Sequence, residues 1–457
     1  MKMNNNSNKY KLLRKKFPFF IYENFTTLIN SDGLKIEFCF NLSDKYFFKP
    51  VINIPNKEFY QFKNYIQKDL FENIIFNIGM IELISYWKCA CPPLIIIKPY
   101  ILDEEQISWW KKIYFHGLGE FFYLNSIEAE IDDFVKIKSD SEKKINALEF
   151  KTNNSVIVPI GGGKDSVVTL EILSKNKMDV LPMIINPNKA TLGTIETAGF
   201  SRKNIIEVQR TISPKLLELN DEGFLNGHTP FSALLAFVSL LTAFLTGRKN
   251  IALSNESSAN EPTLKNSKVN HQYSKSFEFE TDFRNYVKKF ISPDFNYFSF
   301  LRPLNELQIA KLFSGFPQYF NVFRSCNAGS KTNQWCGKCP KCLFVYIILS
   351  PFVSQNKLVE IFGKNLFEDE ELMLYFNQLI GKEKLKPFEC VGTVDEVNLA
   401  LSSAIKKYDT QKLPYLLKYY SKLEQFEQTK NIDINVLLKN FNDKNHLGGE
   451  FEELLKS

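Results

Sequence analysis

Short apolar runs alternate with amphipathic stretches along most of this chain. Leu34–Phe40 and Leu94–Lys98 have the composition of strands, while the patterns around Phe59–Gly79 and Glu104–Phe115 repeat at helical spacing. Residues 1–145 therefore read as an α/β unit behind a polar, Asn-rich start. A charged stretch, Lys136–Lys144, followed by Thr152–Ser155, marks the boundary to a second unit, residues 146–355. There the alternation is stricter: strand Val156–Ile160, helix Ser166–Lys175, strand Val180–Ile185 and strand Asn204–Val208. Strand-helix-strand alternation of this kind predicts a parallel sheet with helices on both faces. Beyond it, Leu358–Phe362, Glu370–Leu379, Val394–Ile405 and Leu413–Phe426 predict a helical region over residues 356–457.

One segment, Thr229–Gly247, carries no charge and approaches the length of a membrane span. Ser232, Ser239, Thr242 and Thr246 interrupt it, and Gly247 followed by Ile251–Leu253 reads as a helix stop feeding a buried strand. A core helix is expected, and no membrane insertion. The apolar run Phe17–Tyr22 behind the basic start is short, broken by Pro18 and closed by Glu23, which does not make a signal peptide.

Composition narrows the class without naming it. The 457 residues, 44% hydrophobic and 24% charged, describe a folded chain of about three domains, neither collagen-like nor disordered. Lys and Arg exceed Asp and Glu by 57 to 51, a net charge of +6 that suits an anionic substrate but does not point to nucleic acid. Four of the eight cysteines crowd between Cys326 and Cys342, unlike a secreted disulfide framework, so a reducing, cytoplasmic setting is expected.

The segment Val156-Ile-Val-Pro-Ile-Gly-Gly-Gly-Lys-Asp-Ser166 runs from an apolar strand through three glycines into a helix. Glycines let backbone approach an oxyanion, and a helix amino terminus presents free N–H groups and positive dipole to it. Lys164 is followed by Asp165 rather than Ser or Thr, which excludes a Walker A loop. The string resembles the Ser-Gly-Gly-x-Asp-Ser pyrophosphate loop of the ATP pyrophosphatase superfamily, which includes GMP synthetase and argininosuccinate synthase; Gly161 stands where that family has its first serine. The resemblance implies a PP-loop, HUP-like adenylating fold. Gly161 would contribute backbone only, Gly162, Gly163 and Ser166 would hold the β- and γ-phosphates of ATP, Lys164 would offset charge and Asp165 would help to place Mg²⁺. A glycine turn that merely closes a tight connection is the plainer reading.

Cys336, Cys339 and Cys342 form Cys-x₂-Cys-x₂-Cys, with Cys326 a short loop upstream. Four thiolates suit tetrahedral, structural Zn²⁺, with an iron–sulfur cluster or free thiols as alternatives. The arrangement resembles the zinc knuckle of 7-cyano-7-deazaguanine synthase.

Between and beyond these motifs lie Leu225-Asn-Gly-His-Thr-Pro230, Leu253-Ser-Asn-Glu-Ser-Ser258, Val269-Asn-His-Gln-Tyr-Ser-Lys-Ser276, Leu301-Arg-Pro-Leu-Asn-Glu306 and Lys386-Pro-Phe-Glu-Cys-Val-Gly392. With the glycine loop and the cysteine string, the set resembles the bacterial UDP-N-acetyl-α-D-muramoyl-L-alanyl-L-glutamate epimerase family, MurL, over about residues 110–400. The resemblance implies an ATP-dependent isomerase of peptidoglycan precursor synthesis. Its substrate would be UDP-MurNAc-L-Ala-L-Glu, whose terminal L-Glu is inverted through an acyl-adenylate with release of AMP and diphosphate.

Such chemistry needs proton-transfer groups. His228 and His271 are the first candidates, since imidazole gains or loses a proton near neutral pH; a buried, hydrogen-bonded histidine is the alternative. Tyr273 and Lys275 on the same segment are the next candidates, or else bind phosphate or carboxylate. Glu256, after the Ile251–Ser254 strand, would bind Mg²⁺ or orient the base, or serve only as a cap partner. Arg302 suits a substrate carboxylate or diphosphate, or equally a structural ion pair. Cys390 is a further base candidate, although a lone cysteine is more often a buried apolar residue. His116, beside a glycine-containing turn, would lie on a segment that closes over substrate. Competing readings are an RNA-modifying or deazaguanine-type adenylating enzyme, and a non-enzymatic ATP-sensing module.

Overall fold

The computed structural model describes residues 6–55, 67–260, 273–329, 332–408 and 412–456. Eleven strands form one sheet: β1 (Phe19–Asn30), β2 (Gly33–Leu42), β3 (Tyr46–Phe48), β4 (Val51–Pro55), β5 (Leu94–Ile97), β6 (Lys136–Ser139), β7 (Asn153–Pro159), β8 (Val180–Ile185), β9 (Ile206–Thr211), β10 (Arg248–Leu253) and β11 (Asn296–Ser299). Their order is β11-β10-β7-β8-β9-β4-β2-β1-β5-β6, with β3 paired to β2. The half from β7 to β11 is parallel throughout. The amino-terminal half mixes the antiparallel β1-β2-β4 ribbon with parallel β5 and β6. Antiparallel pairing of β4 with β9, Val51 opposite Thr211, joins the halves into one sheet.

Side-chain alternation sorts each central strand between two apolar layers. Ile157, Met183, Ile251, Leu253 and Tyr297 enter the layer that also holds the Lys68–Trp87 and Phe231–Thr246 helices. Val156, Val158, Ile184, Ala252 and Phe298 enter the opposite layer, with the Lys164–Lys175 and Pro340–Leu349 helices and the helical carboxyl-terminal region. The uncharged helix is Phe231–Thr246, a buried core helix as expected, and no described helix is long and apolar enough to cross a membrane. Its buried hydroxyls bond within the helix: Ser239 donates to the Leu235 carbonyl at 2.7 Å and Thr242 to that of Val238 at 3.0 Å. Gly247, left-handed at φ 68°, ends it and opens β10.

Several expectations differ in detail, among them the third strand of the second unit, expected at Asn204–Val208 and observed at Ile206–Thr211. The charged Lys136–Lys144 stretch begins as β6, a parallel edge strand in which Ile137 points inward while Lys136 and Lys138 face solvent. Charge on an edge strand blocks further strand addition, and that alternation reads as a linker in sequence. The Leu413–Phe426 pattern is divided into Tyr415–Tyr420 and Glu424–Thr429.

In the parallel half the order is third, second, first, fourth, fifth strand. The chain leaves β7 toward β8 on one side and reaches β10 on the other, so the order reverses between them. Open parallel sheets bind ligands outside the carboxyl ends of strands at such a reversal.

Candidate active site

Gly161–Gly163 lie at the carboxyl end of β7, at that reversal. Gly163 is the extended amino-terminal boundary residue of the Lys164–Lys175 helix, which has no side-chain cap and begins two residues earlier than the sequence pattern indicates. Its first-turn N–H groups are thus available to an anion. Gly162 is left-handed at φ 79°, and a Cβ there would meet the Thr191 backbone nitrogen at 3.1 Å. The loop therefore packs against the amino terminus of a second helix, Lys189–Thr197. The Gly162 carbonyl accepts the Arg324 N–H at 2.7 Å, which ties the loop to the chain entering the cysteine cluster. Gly161 is exposed, with nothing within 4 Å of a Cβ position.

A cavity of about 350 Å³ opens over this loop. Its wall includes Gly161, Gly163, Asp165 and Ser166 from the loop, Ser254–Glu256 after β10, Lys275, Glu306, Arg324, Lys341 and Cys390. Lys164 sits beneath it, 3% exposed, its ammonium bonded to the carboxylates of Asp165 and Glu306. Burial works to raise the Asp165 pKa, but Lys164, Lys341 and Lys275 outweigh it and hold the carboxyl below its ordinary value. Glu306 goes the other way: burial, with Asp165 and Glu256, pushes it up to about 8 against the pull of Lys164. Arg324 adds a half-buried guanidinium whose Nε has no hydrogen-bond partner among the described residues, and burial lowers its pKa.

The sulfurs of Cys326, Cys336, Cys339 and Cys342 lie within 4.8 Å of one another. Cys326 and Cys339 are 3.6 Å apart, Cys336 and Cys342 3.6 Å, and Cys339 and Cys342 3.5 Å. Sulfurs about 2.3 Å from a tetrahedral zinc ion are separated by about 3.8 Å, so the cluster could hold Zn²⁺ with little adjustment. The Gly329 N–H donates to Cys326 Sγ at 3.3 Å, and those of Lys338 and Cys342 donate to Cys336 and Cys339 at 3.5 Å, as thiolate ligands require. Gly337, at φ 64°, makes the turn. Since Cys326 also lines the cavity, the cluster forms part of its wall.

The proton-transfer candidates separate. Lys275 and Cys390 come together, Nζ donating to Sγ at 3.0 Å, and both line the cavity with Glu256. Burial lowers the Lys275 pKa, but Cys390, Glu256 and Asp165 outweigh it, leaving the group firmly cationic. Arg302 is fully buried and outside the lining. It is paired with Glu280 at 3.0 Å and donates to the carbonyls of Glu256 at 2.7 Å and Lys275 at 2.5 Å, so it fixes those two residues from behind. Tyr273 is 5% exposed and packs against His116 with the rings tilted and their centroids 4.8 Å apart; burial raises its pKa strongly. His228 Nδ1 lies 3.7 Å from the Glu120 carboxylate, and neither lines the cavity. His271 lies outside the described residues. Glu306 and Lys341 emerge as site groups that the sequence reading did not single out, although Glu306 closes the Leu301–Glu306 string and Lys341 sits inside the cysteine spacing.

Together these features define a doubly wound α/β protein with a glycine loop at an uncapped helix amino terminus and a four-cysteine knuckle around one cavity. Residues 12–300 match the family model described as the MurL N-terminal domain, and residues 322–433 match the MurL C-terminal domain. The chain belongs to the MurL family. It is 35% identical over 333 residues to a protein of Xanthomonas oryzae pv. oryzae, covering 71% of this chain and 73% of that one. It is 36% identical over 328 residues to a Micromonospora protein, covering 70% and 72%, and 33% identical over 342 residues to one of Salinispora tropica, covering 71% of each. All three are named UDP-N-acetyl-alpha-D-muramoyl-L-alanyl-L-glutamate epimerase, an isomerase. The glycine loop falls in the first match and the cysteine knuckle and Cys390 in the second, so both matched regions build the cavity.

Proposed function

We propose that this protein is an ATP-dependent epimerase that converts the terminal L-Glu of UDP-MurNAc-L-Ala-L-Glu to D-Glu, forming an acyl-adenylate and releasing AMP and diphosphate. The observation that carries the reading is one cavity lined by both a glycine loop at an uncapped helix amino terminus and the Lys275–Cys390 pair. An epimerase that uses ATP needs both in reach of one carboxyl terminus.

The chemistry explains the need. Removing the α-proton beside a carboxylate gives a poorly stabilised dianion, whereas an acyl-adenylate has lost that negative charge and its α-proton is more acidic. In this reading the backbone N–H groups of Gly161–Ser166 receive the phosphates, and the cations of Arg324 and Lys341 in the wall balance their charge. Lys164, held by Asp165 and Glu306, acts from beneath the loop. Asp165 and Glu256 offer hard oxygen donors in the same wall, the ligand type that Mg²⁺ takes, and would hold the ion that accompanies ATP and screens its phosphates. The cysteine knuckle takes no part in the chemistry, because four sulfur ligands leave no open position on zinc. It fixes the Arg324–Cys326 segment against Gly162.

The test is NMR of UDP-MurNAc-L-Ala-L-Glu with the protein, Mg²⁺ and ATP in deuterated water. ATP-dependent loss of the glutamate α-proton signal, with AMP formed and D-glutamate recovered after hydrolysis, is expected. Diphosphate without exchange would mean that the carboxyl is adenylated for another purpose. No reaction would return the reading to an adenylating enzyme of RNA or deazaguanine chemistry.

A further inference from the structure

We propose that the Cys390 thiolate, held by the Lys275 ammonium, is the base that takes the α-proton of the activated glutamyl residue; this rests on the function proposed above. The pair is built from distant parts of the chain. Lys275 lies in the turn before the Phe277–Phe290 helix and Cys390 in the segment before the Val394–Ile405 helix, yet Nζ and Sγ are 3.0 Å apart on the cavity wall. Both backbones are clamped. Arg302 holds the Lys275 carbonyl, and the ammonium of Lys341 bonds to the Cys390 carbonyl and brings a second cation to the same place. A thiol beside a fixed ammonium loses its proton far more readily than one in apolar surroundings.

The other cysteines supply the contrast. Cys89 and Cys91 are fully buried, and burial pushes Cys89 up to about 12 and Cys91 well above the ordinary thiol value. Burial also raises Cys39, which lies on β2 away from the cavity. Cys326, Cys336, Cys339 and Cys342 are committed to one another. Cys390 is the cysteine outside the knuckle that reaches the cavity.

The step balances as a proton transfer. The Cα–H bond breaks, its electron pair passes into the acyl group as an enolate, and the proton forms S–H on Cys390. Because the two groups sit 3.0 Å apart, they serve one face of Cα. The proton delivered to the opposite face comes from a different group, and the Cys390 proton returns to solvent before the next turnover.

Two measurements test this. In single-turnover reactions in deuterated water, Cys390→Ala and the size-preserving Cys390→Ser are compared with wild type by the deuterium incorporated at Cα per diphosphate released. Deuterium incorporation at Cα should fall about 100-fold or more, the usual worth of a general base. Wild-type protein that incorporates no deuterium would refute the proposed function instead, so the two failures are distinct. Epimerisation by either variant at the wild-type rate would overturn the inference. Independently of turnover, iodoacetamide alkylation of the Cys390 peptide at pH 7, read by mass spectrometry, should slow about tenfold in Lys275→Met and recover in Lys275→Arg. Equal rates in all three would remove the thiolate, and the inference with it.

Discussion

Replacing Glu306 with glutamine probes the charge arrangement beneath the glycine loop. One ammonium, Lys164, meets two carboxyl groups, Asp165 and Glu306, and the Glu306 side chain is only 2% exposed. Burial, with Asp165 and Glu256, moves the Glu306 pKa from 4.5 to about 8. The folded protein thus keeps a proton over a range in which the unfolded chain has lost it. When the folded state binds more protons, stability falls as pH rises, by about 1.4 kcal/mol per pH unit for one group. The decline begins near 4.5 and is complete near 8, so it amounts to on the order of 5 kcal/mol over roughly 3.5 pH units. Asp165 does not mask it: its pKa is lowered, so its contribution is lost only as pH falls below the ordinary carboxylate range. Glutamine keeps an oxygen for Lys164 and has no proton to lose. Urea-unfolding stabilities of Glu306→Gln and wild type, at fixed ionic strength, should therefore diverge by about 4 kcal/mol between pH 5 and pH 8 in favour of the variant. Parallel profiles would refute the reasoning, because Glu306 would then be ionised in the folded protein throughout.

The glycines predict opposite outcomes one residue apart. Gly161→Ser meets nothing within 4 Å and should leave the thermal midpoint unchanged, whereas Gly162→Ala forces a left-handed alanine against Thr191 and should cost about 1–2 kcal/mol in urea unfolding. ATP-dependent diphosphate release should survive the first change and fall sharply with the second. The knuckle should carry about one zinc per chain by elemental analysis, and Cys342→Ser should lose that metal and lower the thermal midpoint by about 10 °C or more. Iron, or full stability without metal, would contradict the structural zinc assignment.

What the sequence made legible was local. The glycine loop is one strand, one turn and one helix in succession, and the four cysteines lie within a single short segment, so spacing marks both as candidates while resemblance to known families supplies the ATP and zinc readings. The buried Phe231–Thr246 helix is readable because hydroxyl residues interrupt its apolar run and Gly247 stops it before the Ile251–Leu253 strand. What remained hidden depends on closure of the fold. Lys275 and Cys390 are 115 residues apart and Lys164 and Glu306 are 142, and no periodicity links positions at such separations. Arg302, with its planar fork, looked as suited to a substrate carboxylate as to an ion pair. Its burial against Glu280 and two carbonyls decides what that fork holds in the folded chain. The β4–β9 pairing was equally out of reach, since it joins two strands that each have local partners of their own.

The placement of these pieces follows from the strand order. Reversal between β7 and β10 leaves one crevice at the sheet's carboxyl edge, and the loops after both strands must face it. The glycine loop supplies one wall there but no roof. The roof comes from later chain: the cysteine segment, tied to Gly162 through Arg324, and the Glu389–Cys390 stretch that meets Lys275. The glycine loop and the Lys275–Cys390 pair thus reach the same cavity only once the carboxyl-terminal region has docked. Metal loss at the knuckle should accordingly reduce activity even where the sheet itself stays folded.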